Sequence, residues 1–428
     1  MPHALGQAVE LVTTALAVAG IGYFLAALVA AYVFLGKRQA SLPAIAPAVS
    51  ILKSLKGVDP TMLDAFRSHC RQNYAGEYEL LFGVSSMDDP AVAAVVELQR
   101  EFPQHRILLV VCPERLGTNG KVSTLAQLVC HARYPYLLIN DSDITVSPHY
   151  LQRVMAEFQK QGTRELGNEG TEKQAPGPRD PSAALRAGSG TEETRDRGAK
   201  GSQRPVGLVT ALYRGRMHGT LGSRLESLGI STDFIPAVLL ARWLERGLRY
   251  GLGSTLAVSR EALAAAGGLE ALVDHLADDY ELGARVYGAG YAVALSREVV
   301  ETSVPAYRWR GFVEHQLRWY RTVRDARPWG YAGLVFTFGL GWAALNVVAS
   351  GLSLVSLWLL AMSFFLRLAL AMAVGANVLG DRQVLENLWL LPVRDVVAMG
   401  VWVAGFAGDT IVWRGERFQV RDGKLRRI

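Results

Sequence analysis

The chain has 428 residues, enough for one large or two ordinary domains, with 50% hydrophobic residues, a formal net charge of +6 and three cysteines. No basic run is interleaved with aromatics, which excludes a nucleic-acid binder, and the isolated Cys70, Cys112 and Cys130 form no CxxC pair for zinc or redox work. The apolar share is too high for an ordinary soluble protein, so it has to be located along the chain.

It sits at the two ends. Residues 9–35 carry one charge, Glu10, and exceed the ~20 residues that a bilayer-spanning helix needs. The run is too long for the ~7–15-residue apolar core of a signal peptide and no small-residue cleavage site follows, so it reads as a retained anchor. Lys37 and Arg38 come next, which by the positive-inside rule puts the following segment in the cytoplasm. Residues 331–377 are interrupted only by Arg367 and make two spanning lengths with a break at Ser350-Gly351. A third run, 396–412, contains Asp409 and is either a short span or a re-entrant or interfacial helix. If all four segments crossed, the basic tail would end outside, against the same rule, so one of them does not. The expected division is an N-terminal membrane anchor at 1–38, a cytosolic body at 39–328, C-terminal membrane helices at 329–412 and a basic cytosolic tail at 413–428.

After a Pro- and Ala-rich linker, 49–52 reads as a buried strand running into the basic, glycine-ended loop Lys53-Ser-Leu-Lys56-Gly57, a reasonable seat for a nucleotide. Asp59 and Pro60 predict the cap and first position of a helix running to about Asn73. A second strand at 78–84 ends in Asp88-Asp89-Pro90, a helix follows over 91–102, and 106–111 is a third strand. Gly117-Thr-Asn119-Gly-Lys121 then enters a helix over 122–132; it lacks the GxxxxGK[ST] spacing of a P-loop. A fourth strand, 136–140, delivers Asp141-Ser-Asp143 at its end. Two readings of that pair stand: a solvated turn before Pro148, or two carboxylates holding a divalent cation and the phosphates it carries. The alternation of strands and helices makes a parallel, doubly wound α/β sheet the economical expectation.

Residues 160–204 lack aromatics and are rich in Gly, Glu, Thr, Arg and Pro, the composition of a disordered insertion. A strand at 207–212 follows, then a basic turn at 213–216, a long helical region at 221–248 broken near Pro236, and a strand at 253–259. The apolar run 234–243, flanked by arginines, is either core or an interfacial helix. Asp274, Asp278, Asp279 and Glu281 gather on the approach to a helix, as ordinary N-terminal charges or as a site. Finally His315-Gln316-Leu-Arg318-Trp319 lies on an amphipathic helix just before the membrane, where a basic anchor is the plain alternative.

The order of these motifs, together with Val49-Ser-Ile-Leu-Lys53, Gly267-Gly-Leu269, Ala277-Asp-Asp-Tyr280 and Trp413-Arg-Gly-Glu-Arg417, closely resembles the processive-type membrane glycosyltransferases of the GT-A fold and, more narrowly, the ceramide glucosyltransferase family. Gly207-Leu-Val-Thr-Ala-Leu-Tyr-Arg-Gly-Arg216 and the 274–280 and 315–319 segments look most like its bacterial hopanoid-biosynthesis branch. The resemblance implies a GT-A, Rossmann-like domain with an N-terminal transmembrane helix and C-terminal transmembrane or interfacial helices. It implies a cytoplasmic catalytic domain in a bacterial inner membrane, transferring glucose or N-acetylglucosamine from a UDP-sugar to a membrane lipid, ceramide or a hopanoid, with no obligate protein partner. By the same resemblance Asp279 is the general base, and Asp141 and Asp143 hold Mg²⁺ or Mn²⁺. Asp88, Asp89, Asp141, Lys53, Lys121, Arg318 and Trp319 bind the nucleotide sugar, and His315, Gln316, Asp278 and Tyr280 serve acceptor binding and closure. The family's (Q/R)xxRW motif has His315 at its first position here, and Gln316, one place later, is turned by ~100° on the helix. A processive polysaccharide synthase and a non-catalytic membrane-tethered sugar-nucleotide scaffold are the competing readings.

Overall fold

The computed structural model describes residues 2–36, 46–159, 204–413 and 416–427. The linker at 39–45, the predicted insertion up to residue 203, and Arg414 and Gly415 lie outside them. Strands β1 (Val49–Ser54), β2 (Tyr78–Val84), β3 (Arg106–Val111) and β4 (Tyr136–Ile139) are parallel, joined through α2 (Met62–Cys70), α3 (Ala91–Glu101) and α4 (Gly120–Leu128). Period-2 alternation divides their side chains between two covered faces. Ile51, Leu80, Phe82 and Leu138 pack with α2, α3 and α5 (Tyr150–Gln159), while Leu52, Leu81, Leu137 and Ile139 share a cluster with residues of α4.

The sheet has seven strands in the order β3-β2-β1-β4-β6-β5-β7, completed by β5 (Val206–Arg216), β6 (Leu256–Ser259) and β7 (Ala292–Ser303). It is mixed, which corrects the expected parallel sheet: β6 runs antiparallel to both β4 and β5. The reason lies between β5 and β6, where α6 (Leu221–Gly229), a π-turn (Ile230–Phe234) and α7 (Ile235–Leu244) intervene and the chain re-enters in reverse. Strand direction leaves no trace in a hydrophobic pattern. Residues 213–216, expected as a basic turn, continue β5 and pair with β7 as far as Arg216↔Ser303. Nor does Asp59 cap α2; Thr61 takes that place, and the Asp59 carboxylate accepts from Ser142 Oγ at 3.1 Å.

Helices α8 (Arg260–Ala265), α9 (Asp278–Gly288) and α10 (Trp309–Ala326) complete the body. Beyond it lie α11 (Pro328–Gly333), α12 (Gly339–Ala349), α13 (Leu354–Leu370) with a π-turn to Val378, α14 (Arg382–Glu386) and α15 (Leu391–Gly405). Among the described residues, four helices are long and apolar enough to cross a membrane: Ala4–Gly36, Leu221–Leu244, Leu354–Val378 and Leu388–Gly405. The pair Pro328–Thr337 and Gly339–Ala349, bent by 57°, makes a fifth. The first of these belongs to α1 (Pro2–Gly36), which meets α12 where two glycines let the backbones touch; a Cβ on Gly20 would lie 2.2 Å from Gly339 Cα. Higher up, Asn346 Nδ2 donates to Thr13 Oγ1, Thr14 Oγ1 and the Glu10 carbonyl.

Charges buried here are paired, as a low-dielectric setting requires. Arg367 donates to Asp395, Asp233 and the Thr232 carbonyl in the π-turn, and Arg394 binds Asp233 and Gln316. The segment from 413, expected as a basic tail, and residues 410–412, expected as the end of the third apolar run, supply an antiparallel sheet of β8 (Thr410–Trp413), β9 (Glu416–Arg421) and β10 (Lys424–Arg427). Its alternate residues Ile411, Phe418, Val420 and Leu425 bury themselves with Leu276 of the body.

Candidate active site

The loop after β4 holds Asp141 and Asp143 at the carboxyl edge of the parallel strands, where α/β sheets bind ligands. Asp143 Oδ2 accepts from Thr302 Oγ1 at 2.5 Å and Ser303 N at 3.0 Å, both from the end of β7. Burial, then the neighbouring Asp141, push the Asp143 carboxyl above its ordinary range. Lys53 does not face this opening. It is 0% exposed, and its Nζ donates to the Asp141 main-chain carbonyl at 2.9 Å, so it props the loop from beneath instead of contacting a nucleotide. Burial depresses its ammonium to about 7 against the pull of Asp143 and Asp141. Asn140, also buried, donates to Tyr150 Oη and the Ser254 carbonyl, fastening the same loop to β6.

Across from it, Asp278 and Asp279 open α9. Burial, then Asp278, raise the Asp279 carboxyl to about 6, with Lys121 acting in the opposite sense. Lys121 joins the two acidic groups, its Nζ lying 2.7 Å from Asp141 Oδ1 and 3.4 Å from Asp278 Oδ2. Burial opposes its charge, but Asp141, Asp278 and Asp279 hold it above the ordinary lysine value. Asn119 caps α4 by accepting from Val122 N, while its Nδ2 donates to the His275 carbonyl and, at 3.4 Å, to Asp278. Tyr280 stacks on Tyr250 at 5.5 Å. The C-terminal sheet clamps this acidic loop, with Leu425 N donating to the Asp274 carbonyl and Leu276 N to that of Gly423.

The loops after β1 and β2 are tied by Asp89, whose carboxylate accepts from Gly57 N at 3.0 Å and Ala91 N at 2.9 Å. Asp88 beside it is exposed, holding only Ser86 Oγ. On α10, Trp319 packs against Phe234 and His315, with centroids 6.2 and 5.5 Å apart. Arg318 favours the ionised form of Tyr307, whose phenol burial otherwise pushes far up. Gln316 does not reach the opening: it is 3% exposed, donates to Glu226 and accepts from Arg394, and so belongs to the packing between α10, α6 and α15. The structure thus gathers Asp141, Asp143, Lys121, Asp278 and Asp279 and withdraws Lys53 and Gln316. Thr302, Ser303 and Glu226 escaped sequence reasoning, and no local motif marks them.

Among the described residues no three or more His, Cys, Asp or Glu side chains group as a metal site. The donors fit a hard cation nonetheless, because each of Asp141 and Asp143 keeps one carboxylate oxygen outside the contacts above. One or two carboxylates plus substrate phosphates are the set Mg²⁺ takes.

The model of glycosyl transferase family 21 matches residues 12–164 and 199–426. Ceramide glucosyltransferase 3 of Caenorhabditis elegans is 23% identical over 401 residues, covering 90% of this chain and 75% of that one. Ceramide glucosyltransferase of Komagataella phaffii is 29% identical over 150 residues, 32% of this chain and 29% of that one. Among solved structures, a mannosyltransferase from Pyrobaculum calidifontis in complex with GDP-Man and Mn²⁺ superposes with a TM-score of 0.51 at 18% identity, covering 93% of this chain and 97% of that one. A GT-A sheet carrying this acidic site, with apolar helices at both ends, is what the family match requires, and the chain belongs to glycosyl transferase family 21, the ceramide glucosyltransferase family.

Proposed function

We propose that this glycosyltransferase moves a hexose, glucose or N-acetylglucosamine, from a UDP-sugar to a hydroxyl of a membrane lipid, ceramide or a hopanoid polyol, inverting the anomeric carbon. The observation that carries the reading is the separation of roles among the acids. Asp279, raised to about 6, is poised as a general base near neutral pH, while Asp141 and Asp143 stand together on the other side of Lys121. Asp279 takes the proton of the lipid hydroxyl as its oxygen bonds to the anomeric carbon and the bond to the UDP oxygen breaks. Asp141 and Asp143 would hold Mg²⁺ or Mn²⁺, which when bound neutralises charge growing on the diphosphate. Asp88 and Asp89 bound the uridine side, Arg318 meets the diphosphate, and Trp319 offers its indole to sugar or acceptor. The body faces the cytoplasm of a bacterial cell, with the apolar helices bringing the lipid to it.

The test is incubation of detergent-purified protein with UDP-glucose and UDP-N-acetylglucosamine against ceramide and bacteriohopanetetrol, with products read by mass spectrometry. One pairing yields a glycolipid whose anomeric proton coupling, read by NMR, shows inverted configuration; no product from any pairing sinks the proposal.

A further inference from the structure

His315 is held by a buried carboxylate and two aromatic rings. Its Nδ1 lies 3.0 Å from Oε2 of Glu226, a carboxylate of α6 that is 4% exposed. Tyr307 stacks on one side of the imidazole at 5.3 Å and 29°, and Trp319 tilts against it at 5.5 Å. A carboxylate is an acceptor only, so in the neutral ring Nδ1 carries the proton and Nε2 the lone pair. Nε2 makes no hydrogen bond among the described residues.

Hydrogen bonds place this pair beside the donor loop: Ser303 N–H donates to Asp143, the next residue's carbonyl, that of Val304, accepts from Ser223 Oγ at 2.9 Å, and Ser223 lies on α6 one turn before Glu226. Two phenols there feel the same charges. Tyr307, raised first by burial, also feels Glu226, Arg318, Asp143 and Asp59, and Tyr213, raised first by burial, feels Asp279, Glu226 and Asp141. Glu226 therefore stands within electrostatic reach of the phenols that border both groups of acids.

We propose that Glu226 is a positioning residue that fixes His315, held against Tyr307 and Trp319, as its Nδ1–H tautomer, so that Nε2 accepts a hydrogen bond from a hydroxyl of the donor hexose. This rests on the glycosyl-transfer reading and assigns the first position of the motif a defined task. The hexose O–H donates to Nε2, Nδ1–H donates to Glu226, and no proton changes owner. Gln316, which also reaches Glu226 at 3.4 Å, supplies packing only.

A double-mutant cycle separates positioning from packing. Glu226→Ala lowers kcat/KM for the UDP-sugar about tenfold, the size of one lost hydrogen bond to a polar substrate group. In a His315→Gln background, where the amide oxygen reaches the hexose without help, the same change costs less than about twofold. Equal losses in both backgrounds overturn the proposal, because Glu226 then acts through packing. Should Glu226→Ala not fold, Glu226→Met keeps the volume and the cycle is run with it. Nitrogen-15 NMR of histidine-labelled protein, with the His315 signals assigned by their loss in His315→Gln, needs no turnover. It shows Nδ1–H at His315 in the wild type and a shift toward Nε2–H in the Glu226 variant; Nε2–H in the wild type overturns the proposal. Because that readout is independent of transfer, it stands even where no sugar–lipid pairing yields product.

Discussion

Gly253 lies against Asp279 so closely that a Cβ at position 253 would sit 2.9 Å from Asp279 Oδ2. The obstacle is the end of a side chain, so Gly253→Ala leaves the fold in place and displaces the carboxylate. Misplacing a catalytic group by about 1 Å costs about 100-fold in rate, which is the loss expected at an unchanged melting temperature. Gly283 makes the contrast: a Cβ there meets the Gly251 main-chain nitrogen at 2.1 Å, and Gly283→Ala is expected to lower the melting temperature or abolish folding.

In the proposed role of general base Asp279 must be ionised. With its carboxyl at about 6, kcat/KM falls as pH drops through about 6 and levels off above it. Asp279→Asn removes the proton acceptor and costs roughly 10²–10⁴-fold in turnover with UDP affinity retained. Undiminished turnover in that variant would remove Asp279 from the chemistry.

Lys121 works against the rise in Asp279, so its removal sends the carboxyl higher still. Lys121→Met moves the acidic limb of the pH–rate profile above its wild-type position, read from kcat/KM at closely spaced pH values. A limb that stays in place or moves to lower pH contradicts the geometry.

Thr302 donates to Asp143 and favours its ionised form. Thr302→Val therefore raises the Asp143 carboxyl further and weakens its hold on a divalent cation. The concentration of Mn²⁺ or Mg²⁺ for half-maximal activity is expected to rise about tenfold, as for other groups that orient a metal ligand. Chelation should abolish activity in both proteins.

The acids were legible because each lies at the end of its own strand or at the start of its own helix, where local pattern speaks: Asp141 and Asp143 after β4, Asp279 opening α9. What supports them was not, since Thr302 comes to Asp143 from 159 residues away, brought there by the bridge between Glu301 and Thr145 of the same loop and by the pairing of β5 with β7. The burial of Lys53 beneath the loop was not legible either, because its strand alternates between two covered faces, and a charge at a strand end gives no sign of whether it faces water or the layer beneath. The C-terminal sheet hid behind its charge, since Arg and Lys fill the outward positions while Phe418, Val420 and Leu425 face in.

The docked C-terminal sheet also constrains how the apolar helices could thread a bilayer. Because β10 bonds to the 274–276 loop, a bilayer threaded by the apolar helices would have the body and the chain's last strands on one side, and the segments between them would cross it an even number of times. The α12 end reaches the level of Glu10 and Thr13, far along α1 from Phe34 and Leu35, whose carbonyls bind Arg297 of the body. The α13 segment then returns, since the Leu379 and Gly380 carbonyls accept from Arg214 of β5. That is one passage out and one back. Helix α15 is tied at both ends to α10, through Arg394 to Gln316 and through Gly405 to Arg324, so it runs beside that helix and on this reading would add no passage. Cysteine accessibility from either side of sealed vesicles should find Ser350 opposite to Asp422, and Leu388 and Phe406 on the same side as each other.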